Sequence, residues 1–489
     1  MAVVPVPGTE LTARTLSRAG GAGAPDVAPR VPESVLHLLE ALWAGGHAAY
    51  VVGGSLRDAL LGREPHDWDL TTDARPERIQ ELFPGALYEN RFGTVAVRRD
   101  GAEYQITTFR SDHEYADHRR PHRVEFGTSI EGDLARRDFT VNAMAWGAEP
   151  AGQDAAAGHP LATGAAPARA PAPVLVDPFG GAVDARSGVL RAVGDPDARF
   201  HEDALRMIRA VRLAATLDFT IEPQALAAIG RQASLAAQLS GERIAAELER
   251  LLRADRPSVG LRLLQGTGLL DVIAPELGAQ AGMAQNKIAG EDLWDHTLRA
   301  VDAPGPDRPI VRLAALLHDL GKPATATDGG YPDHETVGAV MAEAFLTRLR
   351  FPRSIVARVG HLVRNHMFSY ETAWSDAAVR RFITRIGPHA LDELLELREA
   401  DNVGSGLPSD AGLMELRRRV AQQLEAHVAL SLRDLAISGD DLMRELGLRA
   451  GPEVGRILES LLDQVIADSD LNDGPTLLLL AQSMLGDES

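Results

Sequence analysis

The spacing of hydrophobic and polar positions changes character along the chain, and each change marks an element. "PESVLHLLEALWAGGH", from Pro32 to His47, sets its apolar residues three and four apart. That spacing predicts an amphipathic helix, and Gly45-Gly46 stop it. "AAYVVGG" is then apolar without interruption, as a buried strand is, and "WDLTT" reads as a second strand. "TVAVRR" and "EYQITTFR" flank Asp100-Gly101 and predict a hairpin. After "DPFGG" the spacing is helical almost throughout to Ser489. The pattern predicts an α+β chain, with a small mixed sheet in front and a long helical body behind.

Composition adds boundaries to this picture. Residues 1–31 are rich in Gly, Ala, Pro and Val without periodicity, which predicts disorder. Ala148 to Val174 forms a low-complexity insert that cannot bury a core, so a surface excursion is expected there. The absence of Cys excludes disulfides, a thiolate nucleophile and a Cys-based zinc site. No apolar run approaches the roughly 18 residues of a membrane-spanning helix, and the N-terminus lacks a signal-peptide layout. A cytoplasmic protein is expected. The net charge of −19 argues against a generally basic nucleic-acid binder. A local basic face can coexist with it, and "RSDHEYADHRRPHRVEFG", Arg110 to Gly127, is rich in Arg and His.

Candidate chemistry begins at "YVVGGSLRDALLGREPHDWDLTT". Residues i and i+2 of a strand share a face, so Asp67 and Asp69 stand side by side with Trp68 turned away. Two close carboxylates repel unless a cation sits between them. Magnesium takes such hard oxygen ligands and leaves room for phosphates. Gly53-Gly54 let backbone amides at a helix start approach a phosphate, and Arg57 adds charge. The same residues also fit a solvated Asp pair beside a turn.

The motifs "GGSLRDALLGREPHDWDL", "RRDFTVNAMAW", "DPFGG", "DPDARFHEDALRMIRAVRLAATLDF" and "SGERIAAELERLL" follow in that order. Together they resemble the class II CCA-adding tRNA nucleotidyltransferase and bacterial poly(A) polymerase family, over roughly Val31 to Leu277. The resemblance implies a nucleotidyltransferase head over 32–185 and a helical neck with base recognition over 186–290. It implies stepwise addition of CMP and AMP to a tRNA 3′ end. Asp67 and Asp69 would be catalytic and hold Mg2+. Gly53, Gly54 and Arg57 would cradle the triphosphate. Arg137, Asp138 and Asn142 would contact the nucleotide, although Asp138 also fits the N-cap of a helix over "FTVNAMAW". Asp203 and Arg206, with Arg209, would read the incoming base. Taken by themselves they are an i,i+3 pair off the Leu205, Ile208, Val211, Ala215 stripe. One position departs from the family pattern: Gln105 stands where a carboxylate is common, and Glu103 on the same strand face is the nearest electrostatic substitute.

The second half carries His296, His318-Asp319, His334, His361, His366 and Asp401 in order on helical segments. This series resembles the HD metal-dependent phosphohydrolase domain, expected over 291–405. His296, His318, Asp319 and Asp401 would bind a divalent transition metal. His334 and His366 would be extra ligands or phosphate contacts, and His361 fits a helix surface. A helical C-terminal region is expected over 406–489, with a helix starting at Gly451-Pro452. It resembles the family's tRNA-contacting end and equally fits a packing domain.

Three functional readings follow. The first is a CCA-adding enzyme with tRNA, CTP and ATP as partners, and with neither DNA nor a membrane. The second is a poly(A) polymerase on the same head, which the acidic tail "LAQSMLGDES" disfavours. The third is an HD phosphohydrolase with a degenerate head.

Overall fold

The computed structural model describes residues 29–65, 67–88, 93–113, 123–150, 171–285, 287–407, 410–426 and 428–487. The disorder expected over 1–31 lies outside these residues except at 29–31, as do half of the Arg/His-rich loop and the centre of the 148–174 insert.

The front of the chain forms strands β1 (Ala49–Val52), β2 (Asp69–Thr72), β3 (Leu87–Tyr88), β4 (Thr94–Arg99) and β5 (Ala102–Thr108). A separate hairpin, β6 (Arg110–His113) and β7 (Arg123–Phe126), precedes β8 (Ala145–Ala148) and β9 (Val174–Val176). The main sheet runs β3-β4-β5-β2-β1-β8-β9. Its β2–β5 pair is parallel and the other pairs are antiparallel, so the sheet is mixed as expected. Strand β1 lies near the centre and is buried on both faces. Ala49 and Val51 join Leu38, Leu39 and Leu42 of helix α1 (Glu33–Ala44), while Tyr50 and Val52 join Phe109, Ile130 and Leu134. Period-two alternation into two cores explains the unbroken apolar run.

Several local expectations shift. Strand β2 begins at Asp69, so Asp67 and Trp68 only lead into it. The alternation survives: Asp67 and Asp69 are exposed, Trp68 and Leu70 buried. "FTVNAMAW" is not a helix. It forms one 3-10 turn, Thr140–Asn142, and then β8, because pairing with β1 overrides the local pattern. The insert is shorter than expected, since Ala148 closes β8 and Val174 opens β9, and the two strands pair.

Behind the sheet the chain is helical apart from a small parallel pairing of Val189–Leu190 with Thr220–Ile221. One continuous core runs from Phe139 through the helical body to Val420. The last helices, including Pro452–Ala467 with the expected Gly-Pro start, bury a separate core around Leu442, Leu461, Val465 and Leu477. The buried Arg380 ties this unit to the body by donating to the carbonyls of Ile466 at 2.7 Å and Ala467 at 3.1 Å. Among the described residues no helix is long and apolar enough to cross a membrane.

Candidate active site

Strand β1 turns at Gly53 into helix α2 (Gly53–Leu60). Gly53 has φ +77°, a conformation side chains rarely adopt, and a Cβ there would stand 3.1 Å from Arg137 Nη1. The bare backbone therefore opens onto a cavity of about 440 Å³ between the sheet and the helix Leu205–Leu217. Gly53, Gly54 and Asp69 line it from one side, Asp203, Arg206 and Arg209 from the other. Arg137, Asp138 and Asn142 also reach its wall. Residues from distant segments thus meet in one space.

Asp69 is open to solvent at the cavity mouth, yet walls surround it. That loss of hydration pushes its carboxyl above the usual pKa; Arg137 pulls it back and Asp67 pushes it up again. Asp67 lies beside Asp69 but outside the cavity lining. Gln105 sits opposite Asp69 across the β2–β5 pair and also lines the cavity. Glu103 does not substitute for a carboxylate at that position. It pairs with Arg98 at 2.9 Å on the exposed end of the hairpin.

The cationic wall has an organiser that the sequence reading missed. Asp133, fully buried, accepts from Arg136 at 2.7 Å and Arg137 at 3.2 Å, and from the Arg110 backbone at 3.3 Å. Burial alone would push Asp133 up, but Arg137 and Arg136 hold it below the ordinary carboxylate range. Its signal in the sequence was the carboxylate i−3 and i−4 to the "RR" of "RRDF" on a short helix, Ile130–Ala135.

Arg57 does not face the cavity. It is buried, forks onto Asp58 at 2.9 and 3.0 Å, and donates to Asn142 Oδ1 at 2.6 Å. Asn142 donates in turn to Asp138 at 3.3 Å, and Arg209 reaches Asp138 at 2.8 Å. Burial would raise Asp138, but Arg209 and Asn142 keep it low, hence anionic. Asp138 is therefore the centre of a polar chain from α2 to the helix Leu205–Leu217, not a helix N-cap.

The helix expected through "HEDALRMIRAVRLAATL" breaks at Asp203, between Pro196–Glu202 and Leu205–Leu217. Asp203 accepts from the Leu205 amide at 3.0 Å and from Arg243 at 2.7 Å. Arg206 binds Glu202 at 2.6 Å and the carbonyls of Arg199 and Arg136. The expected Asp203–Arg206 pair is replaced by these two separate partnerships. Both residues still face the same cavity.

A second constellation lies in the helical body. His296, His318 and Asp401 bring ligand atoms together, and so do Asp319, His334 and His366, all buried. Burial would push Asp319 up, but His318, His296 and His334 hold it well below the carboxylate range. Burial and His318 push His366 down to about 3, leaving it neutral. Gly404 makes room for His296: a Cβ there would come within 2.9 Å of its Nδ1. His361 is apart from the cluster and bonds the Ile386 carbonyl at 2.8 Å.

A carboxylate and a glycine turn of the sheet head thus share one polar cavity with the helical neck, an arrangement that suits nucleotidyl transfer. A family model described as "Poly A polymerase head domain" matches residues 49–191, and a tRNA nucleotidyltransferase domain 2 model matches residues 336–480. The chain is 31% identical over 458 residues to the CCA-adding enzyme of Levilactobacillus brevis, covering 92% of this chain and 97% of that one. It is 32% identical over 455 residues to that of Geobacillus kaustophilus, covering 90% and 94%. It is also similar to the crystal structure of the Bacillus stearothermophilus CCA-adding enzyme in complex with CTP, with a TM-score of 0.64 and 27% identity over 93% of this chain and 98% of that one. The chain belongs to the CCA-adding enzyme family, which are nucleotidyltransferases that use a divalent metal.

Proposed function

We propose that this protein adds CMP and AMP, from CTP and ATP, to the 3′ end of tRNA without a nucleic-acid template. The observation that carries the reading is the single cavity joining Asp69 and Gly53 of the head to Asp203 and Arg206 of the neck. A triphosphate would lie at the β1–β2 end of the cavity, with its base against the helix.

Asp67 and Asp69 would hold Mg2+. Their fit rests on chemistry: exposed carboxylates offer hard oxygens and leave the remaining positions to water and phosphate. When bound, the metal neutralises phosphate charge and polarises the reacting phosphoryl group. The α2 N-terminal amides at Gly53-Gly54 and the guanidinium of Arg137 receive the triphosphate anion. Arg57 acts indirectly, by fixing Asn142 against Asp138. Asp138 and Asn142 would orient the nucleotide, and Arg209 holds Asp138 in place. Asp203 only accepts hydrogen bonds and Arg206 only donates. That polarity matches the amine donor and ring-nitrogen acceptor shared by cytosine and adenine.

The test is incubation with tRNA lacking its CCA end and each labelled triphosphate in turn. Addition of two CMP and one AMP is expected. An open-ended AMP ladder on RNA generally would replace the reading with poly(A) polymerase.

A second reading concerns the buried His/Asp cluster. The grouping of His296, His318 and Asp401, with Asp319 Oδ2 3.2 Å from both histidines, supports a divalent transition-metal site of HD type in the region 291–405, with phosphate-ester hydrolysis as its chemistry. Metal analysis of the purified chain tests it.

A further inference from the structure

The helix His334–Arg348 ends in a turn that usually calls for glycine. The Phe351 amide donates to the Leu346 carbonyl and the Arg350 amide to the Thr347 carbonyl, each at 3.0 Å. Such a crossed pair of bonds puts the residue after the cap in the left-handed region, where glycine is favoured. Here that residue is Arg350, with φ +64°. A side chain at this angle is strained. The fold gains no contact from it: Arg350 is exposed, and among the described residues its side chain has no hydrogen-bond, ion-pair or ring partner. Buried Leu349 and Phe351 on either side hold it in place.

Arg353, three positions on, is exposed and without a partner in the same sense. Other surface arginines are engaged, as Arg262 is with Asp295, Arg418 with Glu415 and Arg444 with Asp441. In a chain of net charge −19, two unpaired guanidinium groups on one turn are a local positive feature on an acidic molecule.

The turn is fixed against the helix that anchors Asp203. A Cβ on Gly241, at the start of the helix Gly241–Leu251, would stand 2.6 Å from the Arg348 carbonyl oxygen and 2.9 Å from Leu349 Cα. The two backbones therefore touch. Arg348 ties down the other side of the turn, donating to the Ile273 carbonyl at 3.1 Å and to Glu276 at 2.8 and 2.9 Å. Two residues beyond Gly241, Arg243 holds Asp203 at 2.7 Å. The turn and the cavity wall thus share one support. An RNA whose 3′ end meets a nucleotide beside Asp203 brings its next few phosphates over the surface around that support. Guanidinium groups suit phosphate oxygens, in charge and in geometry.

We infer that Arg350 and Arg353 bind backbone phosphates of the tRNA near its 3′ end, and that an arginine is kept at the left-handed position for that contact. The inference rests on the CCA-adding reading and deepens it by naming a surface for its RNA.

The test measures binding of tRNA lacking its CCA end to the full-length chain over a range of salt, beside the melting temperature. Arg350→Gly is expected to weaken binding about tenfold and to make the slope of log K against log salt shallower by about one. Its melting temperature is expected to hold or to rise by about 1–3 °C, because glycine accepts the left-handed angle. Arg350→Lys keeps the charge and should bind within about twofold of the parent. Adding Arg353→Ala to Arg350→Gly should remove about one further unit of slope. The KM for CTP at saturating tRNA should match the parent, since neither residue lines the cavity. Unchanged binding and slope in the double variant overturns the inference. A lower melting temperature in Arg350→Gly also overturns it, because the side chain would then serve the fold. Binding is read without catalysis, so the two readings fail separately: a parent that binds tRNA through these arginines but adds no CMP or AMP sinks the CCA-adding reading alone.

Discussion

Gln105 stands directly across the parallel β2–β5 pair from Asp69, so the cavity floor pairs one carboxylate with a neutral amide. On the proposed function, the metal-holding charge would fall to Asp69 and its neighbour Asp67. Asp69→Ala or Asp67→Ala should lower nucleotide addition on the order of a thousandfold, while Gln105→Ala costs less than about tenfold. Single-turnover rates with CTP check this. A folded Asp69→Ala protein that incorporates CMP normally would remove the metal assignment.

Asp69 also carries a pH signature. Its pKa is pushed up by lost hydration, so its carboxylate form, the one the proposed metal would need, appears only above the usual aspartate range. Deprotonation works against the metal-free fold, since a raised folded pKa means stability present below the unfolded value and lost as pH rises through the folded one. Asp69→Asn should therefore raise the melting temperature of the metal-free protein at neutral pH while abolishing addition. Lower thermal stability in that variant would show that the carboxylate is needed by the fold.

The partner of Asp203 is Arg243, at 2.7 Å from the helix Gly241–Leu251. With Oδ2 held by Arg243 and Oδ1 by the Leu205 amide, the carboxylate is fixed in direction, and each oxygen keeps a further lone pair for a base. Asp203→Ala should raise UMP and GMP incorporation relative to CMP and AMP by roughly ten- to a hundredfold, because matched polarity is lost. Arg243→Ala should relax selectivity in the same direction and by less. Competition assays with all four triphosphates read both. Unchanged selectivity at reduced rate in Asp203→Ala would end its role in base choice.

Most of this site was legible before the structure, because its residues sit in contiguous motifs whose local spacing is informative. The Asp67/Asp69 alternation and the Gly53 turn are short-range features, and both hold. What the sequence hid is long-range. Arg57 reaches Asn142, 85 positions away. Asp203 reaches Arg243, 40 positions away. Neither pairing follows from periodicity. The break at Asp203 was hidden for another reason: helical spacing continues through it, and only its side-chain bond to the Leu205 amide shows a new start. The His/Asp series gave its members by order, but not the division of Asp319 between two groups.

Asp133 gives a stability prediction. It is buried beneath Arg136 and Arg137 with its pKa held low. A depressed folded pKa contributes stability that is present above the unfolded value and lost as pH falls through the folded one. Asp133→Asn should cost about 2–4 kcal/mol at neutral pH and weaken triphosphate binding through Arg137. The gap to the parent should narrow in acid, below the ordinary aspartate pKa of about 3.9. Urea midpoints across pH measure it, and a pH-independent gap would show that geometry, not charge, sets the cost.

Arg312 links the fold to the buried His/Asp cluster, and among the described residues its hydrogen bonds all go to backbone carbonyls. It is buried on the helix Pro309–Leu317, which delivers His318 and Asp319. Its guanidinium donates to the carbonyls of Pro304 and Leu252 at 2.7 Å each, Ala254 at 2.5 Å and Asp255 at 3.4 Å. Leu252, Ala254 and Asp255 follow the helix Gly241–Leu251, where the last carbonyls have no partners within the helix. The negative end of that helix dipole, with the nearby charges of Asp302, Asp255 and Asp307, favours the cation against the burial that pushes its pKa down. Arg312→Ala would leave several buried carbonyls unpaired, at about 1–3 kcal/mol for each group lost to desolvation. The unfolding midpoint should fall sharply. Arg312→Lys should recover only part, because one ammonium cannot span acceptors on two sides as the planar fork does. In the Lys variant the head cavity is untouched, so CMP and AMP addition should stay within about twofold of the parent at low temperature, where the fold persists. Metal retention at the proposed His318/Asp319 site should weaken, since the helix that leads into both residues has lost its anchor. Equal midpoints for the parent and Arg312→Ala would show that water satisfies those carbonyls and that the buried arginine is dispensable.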